Sequence, residues 1–356
     1  MAALVLLLMA SAAPLTDSAA ANGHIYISPG GSDSAAGTAA HPFATLQRAQ
    51  KAAAAAPKPA TVHVGAGSYF LGEPLVLEAA DSGVSWVGAG AGKSVVRGGA
   101  AVTGWEQHTL PHLAAPVWRA QNPFPGKAFY QLVEGRAPAT PARFPNRGAG
   151  WLFNWTSTTV DGRPGIKWDE ATGLPPKWEM AHARAYVWHP YGYSELTGLA
   201  NASWDSREVG LFPAPHMMLV KSHLEGALEF LDAPGEWALG EDDFVYLLPS
   251  TPGTNPNELN ISAALVPRLF DIRGASRAAS DLATDVRIEN MSLIGSGWLR
   301  NFECEWADRM NSQPSRDPTG LWALTREGMV RVENATNVAV VGCELLAAGT
   351  SAVWYE

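Results

Sequence analysis

Short apolar runs separated by glycine dominate the early part of the chain. They cover residues 61–64, 75–77, 84–87 and 95–99, and they recur about every ten residues. Strands this short, with no helix between them, are typical of a β-solenoid or a β-sandwich. The pattern returns from residue 269 onward, so we predict an all-β chain.

One helix is predicted close to the N-terminus. Thr45 can serve as its N-cap, an alanine-rich stretch follows to Ala56, and Pro57 and Pro59 end it. A helix of small residues at this point is expected to cover the open end of a solenoid, because an uncovered end exposes apolar core.

The middle of the chain, residues 105–268, breaks the regular pattern and is rich in Trp, Pro and Tyr. We predict a mainly antiparallel β region there, interposed between a first solenoid part (22–104) and a second (269–356). Residues 286–290 (VRIEN) and 330–334 (VRVEN) form a near-repeat 44 positions apart (330 − 286). This spacing predicts two solenoid turns, and a long loop is expected over residues 298–328.

The first and last residues of the sequence each show a pattern that leads to a prediction. Residues 1–21 combine a short apolar run with Ala19, Ala20 and Ala21, the pattern of a secretory signal peptide, although Lys and Arg are absent there. No run reaches the ~20 apolar residues that span a bilayer, so a secreted protein without a membrane span is expected. No polar cap follows the apolar runs that end at Glu356, so we expect further rungs beyond it.

Net charge and cysteine content indicate which partners and which covalent bonds to expect. The net charge of −9, without basic stripes, makes nucleic acid an unexpected partner. Cys304 and Cys343 either form a disulfide or leave Cys343 as a small buried side chain. His and Cys residues show no metal-ligand spacing, so no metal or cofactor is predicted. A full-length protein is expected to be a monomer.

Five N-glycosylation sequons agree with a secretory route. Asparagine also fills tight turns in solenoids, and this alternative applies above all to Asn290 and Asn334. The sequons begin at Asn154, Asn201, Asn260, Asn290 and Asn334.

Four segments resemble the pectin-lyase-like right-handed parallel β-helix proteins, in particular their secreted glycoside-hydrolase-like branch. The first pairs an opening strand with a cap helix, and the others resemble passages written GG…VTGW, QLFVNGxR…ARYPN and LDxPGEWYxD…LYYxP in that group. The matching residues here are 25–31 with 43–53, 96–105, 129–146 and 231–249. The resemblance implies a parallel β-helix that acts on carbohydrate, and it transfers no catalytic residue.

Hydrolysis of a glycosidic bond needs two carboxyl groups, about 5–5.5 Å apart for retention or 6.5–9.5 Å for inversion. Adjacent rungs lie roughly 4.8 Å apart, so outward carboxylates on neighbouring rungs suit this chemistry. The candidates are Glu303, Glu305, Asp308, Asp317, Glu344 and Glu356. The candidates for stacking a flat aromatic ring on a sugar are Trp298, Trp306, Trp322 and Trp354.

The function predicted from sequence is therefore a secreted glycoside hydrolase that acts on a cell-wall or matrix polysaccharide. Two alternatives stay open, a glycan-binding β-helix protein without catalysis and a Ca²⁺-dependent polysaccharide lyase. Two outward carboxylates on adjacent rungs facing a groove favour the hydrolase.

Overall fold

The computed structural model describes residues 22–149, 155–188, 194–212, 221–297, 328–349 and 351–356. Helix α1 (Leu46–Ala55) lies between the first two strands, and the Thr45 side chain accepts a hydrogen bond from the Arg48 N–H. The predicted helix and its N-cap are confirmed. Leu46, Ala49 and Ala53 face the core, since small side chains let the helix pack closely.

Apart from short 3₁₀ helices, strands form the rest of the regular structure in the described residues, so the all-β class is confirmed. The first strands are β1 (His24–Ile27), β2 (Ala60–Val64), β3 (Gly67–Leu71), β4 (Leu75–Leu77), β5 (Val84–Gly88), β6 (Ser94–Gly98) and β7 (Ala100–Ala101). The middle strands are β8 (Glu106–His108), β9 (Val117–Gln121), β10 (Gln131–Glu134), β11 (Ala137–Pro138), β12 (Thr140–Pro141), β13 (Arg143–Phe144), β14 (Trp155–Val160), β15 (Arg163–Trp168), β16 (Arg184–Trp188), β17 (Ser194–Ser203), β18 (Glu208–Phe212), β19 (Lys221–Glu225), β20 (Glu236–Leu239), β21 (Phe244–Leu247) and β22 (Ile261–Ala264). The last are β23 (Phe270–Arg273), β24 (Ala283–Thr284), β25 (Arg287–Glu289), β26 (Ser292–Ile294), β27 (Gly328–Glu333), β28 (Ala335–Thr336), β29 (Ala339–Val341), β30 (Glu344–Leu346) and β31 (Ser351–Tyr355).

Three sheets are built from parallel pairs of early and late strands. Sheet I has the order β1-β2-β5-β25-β29, sheet II β3-β6-β26-β30 and sheet III β4-β23-β27-β31. From β2 onward the chain visits them in the repeating order I, II, III. Their inward side chains share one apolar core, which includes Trp86, Phe270 and Ile288.

The spacing of paired strands corrects one prediction. Thr61 pairs with Ser85 and Val330 with Val353, which are separations of 24 (85 − 61) and 23 (353 − 330) residues. The near-repeat does not follow this spacing: Arg287–Glu289 lies in sheet I, whereas Arg331 and Glu333 lie in sheet III. The two segments are similar because each places apolar residues inward and charges outward, and they are not equivalent positions on successive turns.

Strands β7 to β22 pair almost entirely antiparallel in three further sheets, and β12 with β20 is a parallel pair. The largest of these sheets has seven strands in the order β13-β19-β16-β17-β18-β15-β14. Two apolar cores fill this part of the chain, one around Trp178 and one around Leu132. A small cluster of Val95, Val133 and Ile294 joins this part to the parallel sheets.

Candidate functional site

The outer face of sheet III carries charged residues between buried apolar ones. Phe270 and Ile272 are fully buried in the core, so strand alternation directs Asp271 to the opposite face. On β27, Val330 and Val332 pack on the same core and leave Arg331 and Glu333 outside. We call the surface formed by Asp271, Arg273, Arg331, Glu333, Trp354 and Glu356 the outer face.

Register aligns these side chains across strands. Asp271 pairs with Arg331, and Arg331 pairs with Trp354, so a carboxylate, a guanidinium and an indole form one row. One step further, Val332 pairs with Tyr355, which brings Glu356 opposite Glu333. The outer face thus has Asp271 on β23, Glu333 on the neighbouring β27 and Glu356 directly after β31, with neighbouring strands about 4.8 Å apart.

Arginines hold this surface together. Asp271 is almost completely buried, with its Oδ2 3.1 Å from Arg268 Nη1 and 3.6 Å from Arg273 Nη1. Its Oδ1 lies 3.6 Å from Arg331 Nη1, and burying a carboxylate requires such pairing. Arg331 also pairs with Glu333 and lies over the Trp354 ring, 5.6 Å from its centroid. The indole is therefore held beside the charged row.

Two of the residues predicted as site candidates, Trp354 and Glu356, lie on the outer face. Glu356 is partly exposed, and its Oε1 is 3.6 Å from Arg277 Nη2. A role of either residue in sugar binding or catalysis stays a prediction.

Glu344 points away from the core, as strand alternation predicted, but it belongs to sheet II and not to the outer face. Ser292 Oγ donates to its Oε2 at 2.6 Å, and Arg136 donates to the same oxygen. The Ser292 hydrogen bond and the Arg136 charge lower the pKa of Glu344. These contacts join the antiparallel region to sheet II.

Several predicted residues lie outside the described part of the chain. They are the carboxylates Glu303, Glu305, Asp308 and Asp317, the tryptophans Trp298, Trp306 and Trp322, together with Cys304 and Asn154. Cys343 is a free thiol among the described residues, and its Sγ lies 3.5 Å from the Ile288 carbonyl oxygen.

Asp271, Arg331 and Glu333 are not among the site residues predicted from the sequence. The available signal was strand alternation, in which residues 270–273 (FDIR) and 330–333 (VRVE) place charges between core residues. What the sequence lacked was the register that brings the two segments side by side.

A second group of charged residues is buried in the seven-stranded sheet. Arg184 Nη2 donates to Glu225 Oε1 at 2.6 Å, and His223 Nε2 lies 3.2 Å from Glu225 Oε2. Burial raises the pKa of Glu225, but Arg184, His223 and Arg143 outweigh it and lower the pKa to about 2. Burial also lowers the pKa of His223. The side chains of Arg184, Glu225 and His223 are at most one-tenth exposed, so loss of one member would leave a buried charge without its partner.

The sequon asparagines differ in their surroundings. Asn201, Asn260 and Asn290 are exposed, and Asn334 is half-buried. Asn290 and Asn334 have φ of 55° and 47°, which fits the turn role considered for them. Asn201 has φ of 27°, and its Nδ2 donates to Asp161 Oδ2 at 2.7 Å. Glycosylation of these residues stays a prediction.

In the described residues, no cluster of three or more His, Cys, Asp or Glu side chains is arranged to hold a metal ion. The acidic residues 241–243 lie in a hairpin turn, since β20 and β21 pair antiparallel on either side of them. No described helix combines the length and apolar character needed to cross a membrane.

Comparison with solved structures shows which known fold this chain resembles. A structure described as a glycoside hydrolase is 21% identical with a TM-score of 0.59, and the match covers 78% of this chain and 51% of that one. A second, the complex of XylC with xylose, is 14% identical with a TM-score of 0.30, covering 76% of this chain and 35% of that one. The chain thus spans about half the length of the first structure, 51%, and has a glycoside-hydrolase-like fold. No family model and no curated protein matches the chain.

Proposed function

We propose that this chain is part of a secreted carbohydrate-active protein of the glycoside-hydrolase type. Sheets I, II and III then form the turns of a right-handed parallel β-helix, and residues 105–268 form a region interposed between its two parts (22–104 and 269–356). The parallel pairing and the repeating order of the three sheets support the helix. The fold shared with a structure described as a glycoside hydrolase supports the activity class.

The observation that carries the proposal is the outer face. Glu333 is the last residue of β27 and Glu356 directly follows the adjacent strand β31, where neighbouring backbones lie about 4.8 Å apart, a spacing that suits the closely spaced carboxyl groups of a retaining glycosidase. Trp354 offers a flat apolar surface for one face of a sugar ring, and Arg331 lies beside it as a donor to hydroxyl groups.

In this mechanism one carboxylic acid protonates the leaving oxygen and the other carboxylate attacks the anomeric carbon. Water then releases the sugar, with the first group acting as base. Asp271 is too deeply buried to contact a sugar, so its role is to position Arg331.

The test is release of reducing ends from a panel of plant cell-wall and matrix polysaccharides. Glu333→Gln and Glu356→Gln should each lower turnover by about 10²–10⁴-fold, since each removes an acid, base or nucleophile. Glu344→Gln is the matched control, because Glu344 is similarly exposed but lies on sheet II. Equal loss in the control, or full activity in both outer-face variants, would contradict the assignment.

A glycan-binding protein without catalysis is the second candidate, favoured by one observation. Glu333 pairs with Arg331, and Glu356 lies 3.6 Å from Arg277, whereas hydrolysis needs one group to act as a protonated acid. In that case the wild type binds an oligosaccharide without cleaving it. Trp354→Ala then weakens binding, and Glu333→Gln leaves reducing-end release at zero.

A further inference from the structure

Two histidines from different strands meet at the edge of sheet I. His24 on β1 and His63 on β2 are 39 positions apart in sequence, and His24 Nδ1 lies 3.1 Å from His63 Nε2. The sequence predicted no metal site because this spacing matches no ligand motif. The parallel pairing of β1 with β2 brings the two rings together.

The separation of the two nitrogens suits a shared metal ion. With metal–nitrogen bonds of about 2.05 Å, two nitrogens 3.1 Å apart subtend about 98° at the metal. That angle lies between the square-planar and tetrahedral values. From this geometry we infer that His24 and His63 form a binding site for a divalent transition-metal ion such as Zn²⁺, with water or a further donor completing its coordination.

The surroundings make the site accessible and partly preorganised. Tyr26 stacks on His63, with ring centroids 4.4 Å apart and planes 14° from parallel, which fixes the His63 ring. The His24 and His63 rings lie edge to edge, with centroids 5.4 Å apart and planes 25° from parallel, so binding requires the exposed His24 ring to turn until its lone pair points at the ion. A groove of about 360 Å³, lined by Tyr26, His63, Pro42 and Gly65 among others, opens beside the pair.

Without metal, one of the facing nitrogens donates a hydrogen bond to the other. Metal binding needs both lone pairs, so the ring that donates moves this proton to its other nitrogen. Burial and the neighbouring His24 lower the pKa of His63.

A bound ion would connect the edge strand to the rest of the sheet. β1 is the outermost strand of sheet I, with β2 as its neighbour there. A metal bridge between them stabilises the folded state in proportion to its occupancy, because the unfolded chain does not hold the two rings together. Zinc binding should therefore be detected as heat in a calorimetric titration and should raise the melting temperature.

The experiment is calorimetric titration of the full chain, without a histidine tag, with ZnCl₂ at pH 7.5, beside thermal melts with and without zinc. Zn²⁺ is the chosen probe because it does not displace backbone amide protons as Cu²⁺ can. The wild type should bind one ion, and saturation should raise Tm by at least about 2–4 °C.

His24→Gln and His63→Gln should each raise the Kd at least tenfold and abolish the zinc-induced rise in Tm. His41→Gln, an exposed histidine in the same N-terminal part of the chain, is the matched control and should bind as the wild type does. Melts without zinc check that each variant folds. Absence of binding below 1 mM zinc, or wild-type binding by either site variant, would overturn the inference. Neither result bears on the outer face of sheet III.

Discussion

At the residue scale, Glu225 is expected to control the acid stability of the seven-stranded sheet. Its pKa in the folded protein is about 2, against 4.5 for an unperturbed glutamate. A lowered pKa stabilises the fold at pH above 4.5, and this stabilisation is lost as the pH falls from 4.5 through 2. The shift corresponds to about 3 kcal/mol. The free energy of unfolding measured with urea should therefore fall by roughly that amount as the pH is lowered through this window.

Replacing Glu225 by Gln should lower the free energy of unfolding by about 3–5 kcal/mol at pH 7, because Arg184 would remain buried without its carboxylate. Glu208→Gln is a suitable control. Glu208 pairs with Lys167 in the same sheet, but that pair is at the surface and its loss should change little. A Glu225→Gln protein as stable as the control would contradict the role of the buried pair.

Glu236 should have the opposite pH dependence. It is 2% exposed, and burial raises its pKa to about 7 although the Asp232 and Ala233 N–H groups donate to it at 3.2 Å. A raised pKa means that the folded protein holds the proton more tightly, so this stabilisation is complete below pH 4.5 and is lost as the pH rises through 7.

The measurement for Glu236 is the difference in unfolding free energy between Glu236→Gln and wild type, which removes contributions from His223 and other groups. Gln keeps an acceptor for both N–H groups but cannot ionise. The variant should therefore gain up to about 3 kcal/mol relative to wild type between pH 4.5 and 8. A difference that stays constant with pH would show that Glu236 does not titrate in this range.

At the element scale, turns between the parallel strands depend on residues that tolerate positive φ. Asp285 and Asn337 have φ of 57° and 53° and lie on neighbouring turns, where Asn337 Nδ2 donates to Asp285 Oδ1. Asn337→Gly should lose only the hydrogen bond, whereas Asn337→Ala should also acquire strain of about 1–2 kcal/mol. Unfolding free energies should thus fall in the order Asn, Gly, Ala, and an Ala variant as stable as Gly would argue against the strained turn.

Sequence patterns predicted where a helix or strand forms better than they predicted which strands pair with each other. The helix at residues 46–55 followed from its N-cap and prolines, because capping is local chemistry. The near-repeat at residues 286–290 and 330–334 gave a wrong prediction of equivalent positions. Alternation of apolar and charged residues identifies a strand but not the sheet to which it belongs. The outer face depends on register between Asp271, Arg331 and Trp354, which no local pattern encodes.

At the scale of the whole molecule, the apolar residues separate into cores with little overlap. The core of the parallel sheets takes its buried members from residues 25–96 and 269–330, and the cores of the antiparallel sheets lie within residues 102–265. Val95, Val133 and Ile294 form an apolar link between the two groups. Among the polar links are Arg136 with Glu344 and Gln131 Nε2 donating to the Ala347 carbonyl.

This division predicts two units that open separately under native conditions. Glu225→Gln weakens a core of the antiparallel region, so amide exchange should accelerate in peptides from residues 102–265 and stay unchanged in those from 25–96. Ile288→Ala, which removes a fully buried side chain from the core of the parallel sheets at a cost of about 2–5 kcal/mol, should do the reverse. Exchange measured by mass spectrometry on the full chain distinguishes the outcomes. If either variant accelerates exchange in both groups of peptides, the links through Val133, Arg136 and Gln131 are strong enough to make the molecule one cooperative unit.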